Sequence, residues 1–73
     1  MKLKLGKYIH SKTGNMYKVT GVGKNSETLE EMVVYEALYD NPDGKIWIRP
    51  IKSFTQEVII NGKKVPRFKF IKE

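Results

Sequence analysis

The stretch MVVYEALYDNPDGKIWIRP, residues 32–50, decides the fold class of this chain. Residues 32–39 are rich in β-branched and aromatic side chains, which favour a strand over a helix. They are apolar on both faces except at Glu36, which predicts the central strand of a sheet. The polar run at residues 40–44 predicts a tight turn, and residues 45–49 predict a second strand, which the following proline ends.

The residues before this stretch follow the same extended pattern. Alternation in residues 1–5 gives a weak edge-strand signal, and residues 8–10 begin another extended segment. Residues 11–15 have the composition of a turn. Tyr17 and Val19 alternate with polar neighbours and predict a strand, and two glycines soon after them predict a bulge or a bend at a barrel corner.

The residues after it give a short helical turn and a hairpin. Residues 51–54 are short and irregular, which is compatible with one turn of helix. The pair Asn61-Gly62 is the strongest hairpin signal in the chain, since both residues tolerate positive φ. Residues 65–71 predict the final strand, and Pro66 restricts it to a sheet edge or a bulge.

Together these segments predict a single all-β domain over residues 1–73, built from five to six short antiparallel strands. A flat sheet of this size leaves one face and two edges poorly covered. Curling into a small SH3-like barrel removes both problems, so this fold is expected. A domain this small buries only about 60 % of the surface that its unfolded chain exposes, which leaves little room for a deep catalytic cleft.

Composition excludes several classes of site. The chain of 73 residues has no cysteine and a single histidine, which rules out a disulfide, a thiolate metal cage and a cysteine nucleophile. We therefore expect no metal, no cofactor and no catalytic residues. No apolar run approaches the about 18 residues of a membrane helix, and the basic start lacks the apolar stretch of a signal peptide. A cytoplasmic protein without a membrane partner is expected.

The net charge of +6 is unevenly distributed. Residues 1–24 carry +6, residues 25–45 carry −5 and residues 46–73 carry +5. Neighbouring basic and acidic strands that neutralise each other locally are the favoured interpretation. The alternative is a basic face, made from the two terminal regions, that binds nucleic acid or another anionic partner.

The strand at residues 45–49 carries the most informative pair of side chains. Because side chains alternate across a strand, Trp47 and Arg49 share one face and the flanking isoleucines share the other. If the isoleucines are in the core, the indole and the guanidinium project outward, where they could stack on a flat ligand and hold a carboxylate or phosphate. Otherwise Trp47 covers a small apolar cluster and Arg49 pairs with an acid within residues 27–36.

Two further groups of residues are candidates. The run Ser26-Glu27-Thr28 offers hydroxyls and a carboxylate for the rim of a pocket, although such residues also satisfy the backbone of tight turns. His10 could donate to a ligand or could be an ordinary surface or capping residue. A hydrolase that uses Ser26, His10 and Glu27 is disfavoured, because the chain has no nucleophile elbow.

Tyrosines are expected mainly in the core, although some could line a groove. We place Tyr8 and Tyr35 beside the candidate pair because SH3-like barrels often bind peptides across tyrosines and a tryptophan. This comparison rests on the fold alone and does not by itself identify a binding site in this chain.

A series of short motifs extends from Gly6 to Ile71 and resembles the bacterial domain of unknown function 1653 family. The motifs are GKYIH (6–10), YKV (17–19), SETLE (26–30), VVY (33–35), LY (38–39), WIRP (47–50), Phe54 and VPRF (65–68). The resemblance implies a small SH3-type β-barrel and no reaction. Three features depart from the family pattern: Asn25 stands where a histidine is usual, the first turn is one residue longer, and Ser53 replaces a larger apolar residue.

The sequence therefore predicts a small binding module that recognises an anionic or peptide ligand. Nucleic-acid binding through the basic terminal strands is the alternative, and a small hydrolase is a remote one. Nothing in the sequence demands an oligomer. The candidate ligand-binding residues are Trp47, Arg49, Tyr8, His10, Ser26, Glu27, Thr28 and Tyr35.

Overall fold

The computed structural model describes residues 3–73 and shows seven strands and one helical turn. The predicted all-β class is confirmed, with more strands than the five to six expected. In chain order the elements are β1 (Gly6–His10), β2 (Met16–Lys24), β3 (Glu31–Ala37), β4 (Ile46–Pro50), α1 (Ile51–Phe54), β5 (Glu57–Ile60), β6 (Lys63–Pro66) and β7 (Phe68–Lys72).

The strands form a five-stranded sheet and a separate hairpin. The order in the sheet is β4-β3-β2-β1-β7, so that β2 rather than β3 is central, and all neighbours are antiparallel. β5 and β6 form the hairpin, whose turn places Asn61 and Gly62 at φ of 51° and 77° as the sequence predicts. α1, one turn long, joins the sheet to this hairpin and buries Ile51 and Phe54.

One face of the sheet, here called the inner face, carries the core. The buried core residues are Tyr8, Val19, Val33, Tyr35, Ala37, Ile51, Phe54 and Phe68. Phe54 of α1 is 1 % exposed and stacks on Phe68 with ring centroids 4.1 Å apart. The edges of the Tyr8 and Tyr35 rings approach Phe54 as well, at 5.4 and 5.3 Å. The helical turn thus covers the inner face of the sheet with the phenyl ring of Phe54.

The sheet curls without closing. Arg49 on the edge strand β4 lies over the ring of Phe68 on the opposite edge strand β7, at 5.6 Å from the ring centroid. Side chains therefore bridge the two edges, but within residues 3–73 no ladder of backbone hydrogen bonds joins β4 to β7. The expected closed barrel is therefore not confirmed among the described residues.

The predicted strand boundaries need four corrections. The strand predicted over 45–49 spans Ile46–Pro50, so the proline is its last residue. Residues 3–5 form no strand, and residues 1–2 of the predicted edge strand lie outside the described chain. The predicted strand 32–39 spans Glu31–Ala37. The predicted final strand 65–71 is divided between two sheets at Arg67, whose N–H donates to Gln56 and whose carbonyl accepts from Ser11. These two bonds turn the chain out of the hairpin and into the main sheet.

Glycines shape the backbone at two places in the sheet. The pairing of β2 with β3 shifts between Val19 and Gly21, which confirms the predicted bulge. Gly6, at φ 129°, begins β1, and a Cβ placed on it would collide with the carbonyl oxygen of Lys72 and lie 2.7 Å from Cα of Glu73. This close approach lets β7 pair with β1. No helix within residues 3–73 has the length and apolar character needed to cross a membrane.

Candidate functional site

β4 presents its aromatic and basic side chains to the inner face. Ile46 and Ile48 are 58 % and 63 % exposed, so the expectation that these isoleucines face the core is wrong. The register explains the reversal, since Trp47 lies directly opposite the buried Tyr35 on β3 and residues opposite each other share a face. Trp47 and Arg49 still lie on one side of the strand, as the alternation predicts, but that side faces inward.

A small cleft opens where the curled edges of the sheet face each other. Its volume is about 180 Å³. Every strand of the five-stranded sheet contributes at least one side chain to its walls, and the two turns at the same end contribute one each. The lining residues are His10, Thr13, Tyr17, Tyr35, Asn41, Trp47, Arg49 and Phe68. Four of the predicted ligand-binding residues, His10, Tyr35, Trp47 and Arg49, are thus brought together.

The indole of Trp47 is half-buried, and both its ring and its N–H group make contacts within the protein. Its ring packs against the core cluster, and its Nε1–H donates to the carbonyl oxygen of Gly44 at 3.1 Å. Gly44 belongs to the turn that precedes β4, so the turn and the strand together fix the plane of the ring. A fixed aromatic wall of this kind binds flat groups at low entropic cost.

Arg49 is oriented by neutral groups. Its Nε donates to the hydroxyl of Tyr35 at 3.3 Å, and its Nη1 donates to Oγ of Ser53 at 3.1 Å. A guanidinium has five N–H donors, so these bonds fix its plane without exhausting its donors. Glu36, on the neighbouring strand and within the predicted acidic segment, pairs with Lys45 at 3.1 Å instead.

His10 enters the cleft from β1. Its ring meets the face of Phe68 edge-on at 4.8 Å, and its Nδ1 accepts a hydrogen bond from the backbone N–H of Lys12 at 3.2 Å. An accepting Nδ1 leaves the proton of the neutral ring on Nε2. Burial, followed by the charges of Arg49, Arg67 and Lys12, lowers the pKa of His10 below its usual 6.5.

Tyr17, a residue of the cleft wall that the sequence analysis missed, is paired with Tyr39 outside that wall. The hydroxyls of Tyr17 and Tyr39 lie 2.7 Å apart, and Nδ2 of Asn41 donates to the Tyr39 hydroxyl at 3.0 Å. Burial and the bond to Tyr39 raise the pKa of Tyr17 to about 12, so this phenol stays neutral at physiological pH. The alternation of Tyr17 with Lys18 could have placed it on the inner face, but nothing in the sequence indicated its pairing with Tyr39.

Tyr8 belongs to the core. It is 4 % exposed, its hydroxyl donates to the carbonyl of Lys4 at 2.7 Å, and its ring contacts Phe54 and Phe70. It points to the same face as His10 but lies beneath the cleft rather than in its wall. We therefore leave Tyr8 out of the candidate site.

The run Ser26-Glu27-Thr28 lies in the turn before β3, whereas Tyr35 lies near the end of that strand. Oδ1 of Asn25 accepts from the N–H groups of Glu27 and Thr28, at 2.9 and 3.3 Å. The Thr28 hydroxyl accepts from the N–H of Glu30 at 3.2 Å. These bonds match the interpretation as a tight turn, and within the described chain none of the three residues lines the cleft.

The opposite face of the sheet, here called the outer face, carries a row of lysines. Lys7 on β1 lies opposite Lys18 on β2, and across its other edge it pairs with Lys72 on β7. All three side chains are exposed. Like charges directly opposite each other are destabilising, so this row gains from an anionic partner or from counterions.

The comparisons with known proteins identify the family. The model of a protein family of unknown function, DUF1653, matches residues 6–70. The chain belongs to the DUF1653 family. Its fold matches the crystal structure of a DUF1653 protein from Bordetella bronchiseptica, with 28 % identity and a TM-score of 0.89, over 96 % of this chain and 88 % of that one. The search of curated proteins finds no match. The family resemblance drawn from the sequence is confirmed.

Arg49 is the charged group in the wall of the cleft of this DUF1653 protein whose contacts bear most directly on the charge of a ligand. Aromatic walls such as those of Trp47, Tyr35 and Phe68 can surround a cationic ligand. Here the Arg49 guanidinium itself lies over the Phe68 ring and repels a second cation. The arrangement therefore favours an anion. Within residues 3–73 no group of three histidine, cysteine or acidic side chains could hold a metal ion.

Proposed function

We propose that this DUF1653 protein is a small binding module that holds an anionic group at Arg49, against the aromatic walls of Trp47 and Tyr35. The observation that carries the proposal is the guanidinium itself, which is oriented by two hydroxyls inside a cleft. Charge-assisted bonds to a preoriented guanidinium are strong and geometrically specific for carboxylates and phosphates. No cleft-lining residue in the described chain is acidic, so nothing there competes for the guanidinium.

The size of the cleft limits the ligand. Pockets for drug-sized molecules measure about 300–1,000 Å³, whereas this cleft measures about 180 Å³. It therefore accommodates a small oxyanion or the anionic end of a longer molecule, such as the carboxylate end of a peptide. The SH3-like description of the fold belongs to the same proposal and is supported by the curl of the sheet around this site.

Nucleic-acid binding is the second candidate, and the lysine row on the outer face favours it. Lys7, Lys18 and Lys72 come from both terminal regions and lie side by side across three strands. Such a row would contact phosphates without reading bases. It lies on the face opposite the cleft, so the two functions are separable by mutation.

The test of the anion site uses the single tryptophan of the chain. Trp47 fluorescence and its indole N–H resonance are followed while sodium benzoate or sodium phosphate is added at constant ionic strength. We expect saturable binding that weakens about tenfold or more in Arg49→Met, since a hydrogen bond to a charged group contributes about 1.5–3 kcal/mol. Arg49→Lys, which retains the charge but not the planar fork, should recover only part of the affinity.

Lys52→Met is the matched control, because it removes one positive charge at an exposed position of α1 outside the cleft. Equal affinity in wild-type protein and folded Arg49→Met would contradict the proposal. A single-stranded oligonucleotide is titrated in parallel. Binding that is lost in Lys7→Glu, retained in Arg49→Met and steeply salt-dependent would favour the nucleic-acid candidate instead.

A further inference from the structure

His10 and Arg49 reach the same cleft from different strands. His10 lies at the end of β1 and Arg49 on β4, with two strands between them in the sheet. The curl of the sheet brings both side chains against Phe68, the imidazole at 4.8 Å between ring centroids and the guanidinium at 5.6 Å. An anion at Arg49 therefore lies in a cleft whose wall also carries a titratable ring.

The groups that face His10 from the surrounding elements are cationic or neutral. Arg49 faces it from β4, Arg67 from the junction between β6 and β7, and Lys12 from the turn after β1. The other titratable groups in the cleft wall are the hydroxyls of Tyr17 and Tyr35, and none of the lining side chains is a carboxylate. Burial together with the three positive charges lowers the pKa of His10, so the ring of the unliganded protein is neutral at pH 7.

We propose that an oxyanion held by Arg49 also contacts His10, and that His10 takes up a proton when the oxyanion binds. This inference rests on the proposed function and deepens it, because it makes the ligand site a proton-linked one. The anion offsets the field of Arg49 and Arg67 at the imidazole, and the protonated ring gives it a second charge-assisted bond. The backbone N–H of Lys12 donates to Nδ1 of His10, so the proton of the neutral ring is on Nε2. The Nε2–H group is therefore the donor available to a ligand.

The sign of the pH dependence follows from linkage. The pKa of His10 lies below its usual value in the free protein and rises in the complex. Affinity is therefore highest below the free-state pKa, falls as the pH rises from the free-state to the bound-state pKa, and is level above the latter. A carboxylate probe is suitable because its own charge is nearly constant between about pH 5.5 and about pH 8.

The experiment uses benzoate and the only imidazole in the chain. The His10 ring resonances are titrated with pH in the presence and absence of saturating benzoate, and calorimetry in two buffers of different ionisation enthalpy measures the protons bound. We expect the pKa of His10 to rise on binding, with net proton uptake. Affinity should increase as the pH is lowered from about 8 to about 5.5, by at most about tenfold for each unit by which the pKa of His10 rises on binding.

Two variants separate a recognition role from a structural one. His10→Gln, whose side-chain amide can donate a neutral hydrogen bond but cannot take up a proton, should bind benzoate in an Arg49-dependent manner with no dependence on pH. Arg67→Met, which removes a charge near the imidazole from a residue outside the cleft wall, should raise the free-state pKa of His10 and reduce the proton uptake. Benzoate binding with an unchanged His10 pKa would overturn this inference and leave the proposed function intact. No saturable benzoate binding would overturn both.

Discussion

The two faces of the five-stranded sheet are built on different principles. On the inner face the aromatic rings interlock: Phe54 stacks on Phe68, and the Tyr17 and Tyr35 rings each meet Phe68 edge-on. On the outer face lysines and isoleucines stand separately in solvent. The rings that wall the cleft are therefore also the rings that hold the domain together. We therefore expect changes among the inner-face rings to lower stability and changes on the outer face to leave the fold intact.

The largest effect is expected at the centre of the inner face. Phe54→Ala removes a ring that is 1 % exposed and touches Phe68, Tyr8 and Tyr35. We expect the free energy of unfolding to fall by about 3–5 kcal/mol, much of the stability of a small domain. Urea denaturation followed by circular dichroism measures the loss, and Phe54→Leu should lose less. An unchanged urea midpoint in Phe54→Ala would contradict the claim that the inner-face rings stabilise the domain.

A smaller loss is expected where β1 meets β7. Gly6→Ala places a methyl group against the backbone of Lys72 and Glu73 at a positive φ. We expect destabilisation of about 1–3 kcal/mol, with faster amide exchange along β7. Gly44→Ala is the control, since Gly44 has a similar φ of 143° but no atom within 4 Å of the added Cβ. Equal losses in the two variants would show that φ strain alone, and not the collision, sets the cost.

The smallest effect is expected on the outer face. Ile48→Thr retains a β-branched side chain at a position that is 63 % exposed on the edge strand β4. The free energy of unfolding should change by less than about 0.5 kcal/mol, as measured by urea denaturation. A loss comparable to that of Phe54→Ala would show that Ile48 is covered in solution. Size-exclusion chromatography at several protein concentrations would then test for a second copy on that edge.

Local patterns predicted most of the secondary structure. The turn at residues 40–44, the helical turn at 51–54 and the Asn61-Gly62 hairpin all form as expected, because each is determined by a few adjacent residues. The division of the last predicted strand at Arg67 was missed. That break depends on hydrogen bonds to Gln56 and Ser11, and the bond to Ser11 joins distant parts of the chain.

The placement of the candidate residues was predicted in part, and the differences come from contacts that a single segment of sequence does not specify. Alternation correctly placed Trp47 and Arg49 on one side of β4, but alternation does not specify which side faces the core. The register with Tyr35 settles that question, and register is a property of two strands together. The grouping of His10 with Arg49 follows from the curl of the whole sheet. Ser26, Glu27 and Thr28 were included because polar residues in a loop resemble a pocket rim until their backbone partners are known.

All five strands of the sheet contribute side chains to the cleft, so the cleft depends on the complete fold. No short peptide copied from this sequence would reproduce the cleft, because its walls come from positions 10 to 68 of the chain. If the cleft binds an anion as proposed, that binding should be lost when the domain unfolds. A bound anion would report on the integrity of the entire domain, and an excess of it would raise the melting temperature, since only the complete sheet can bind.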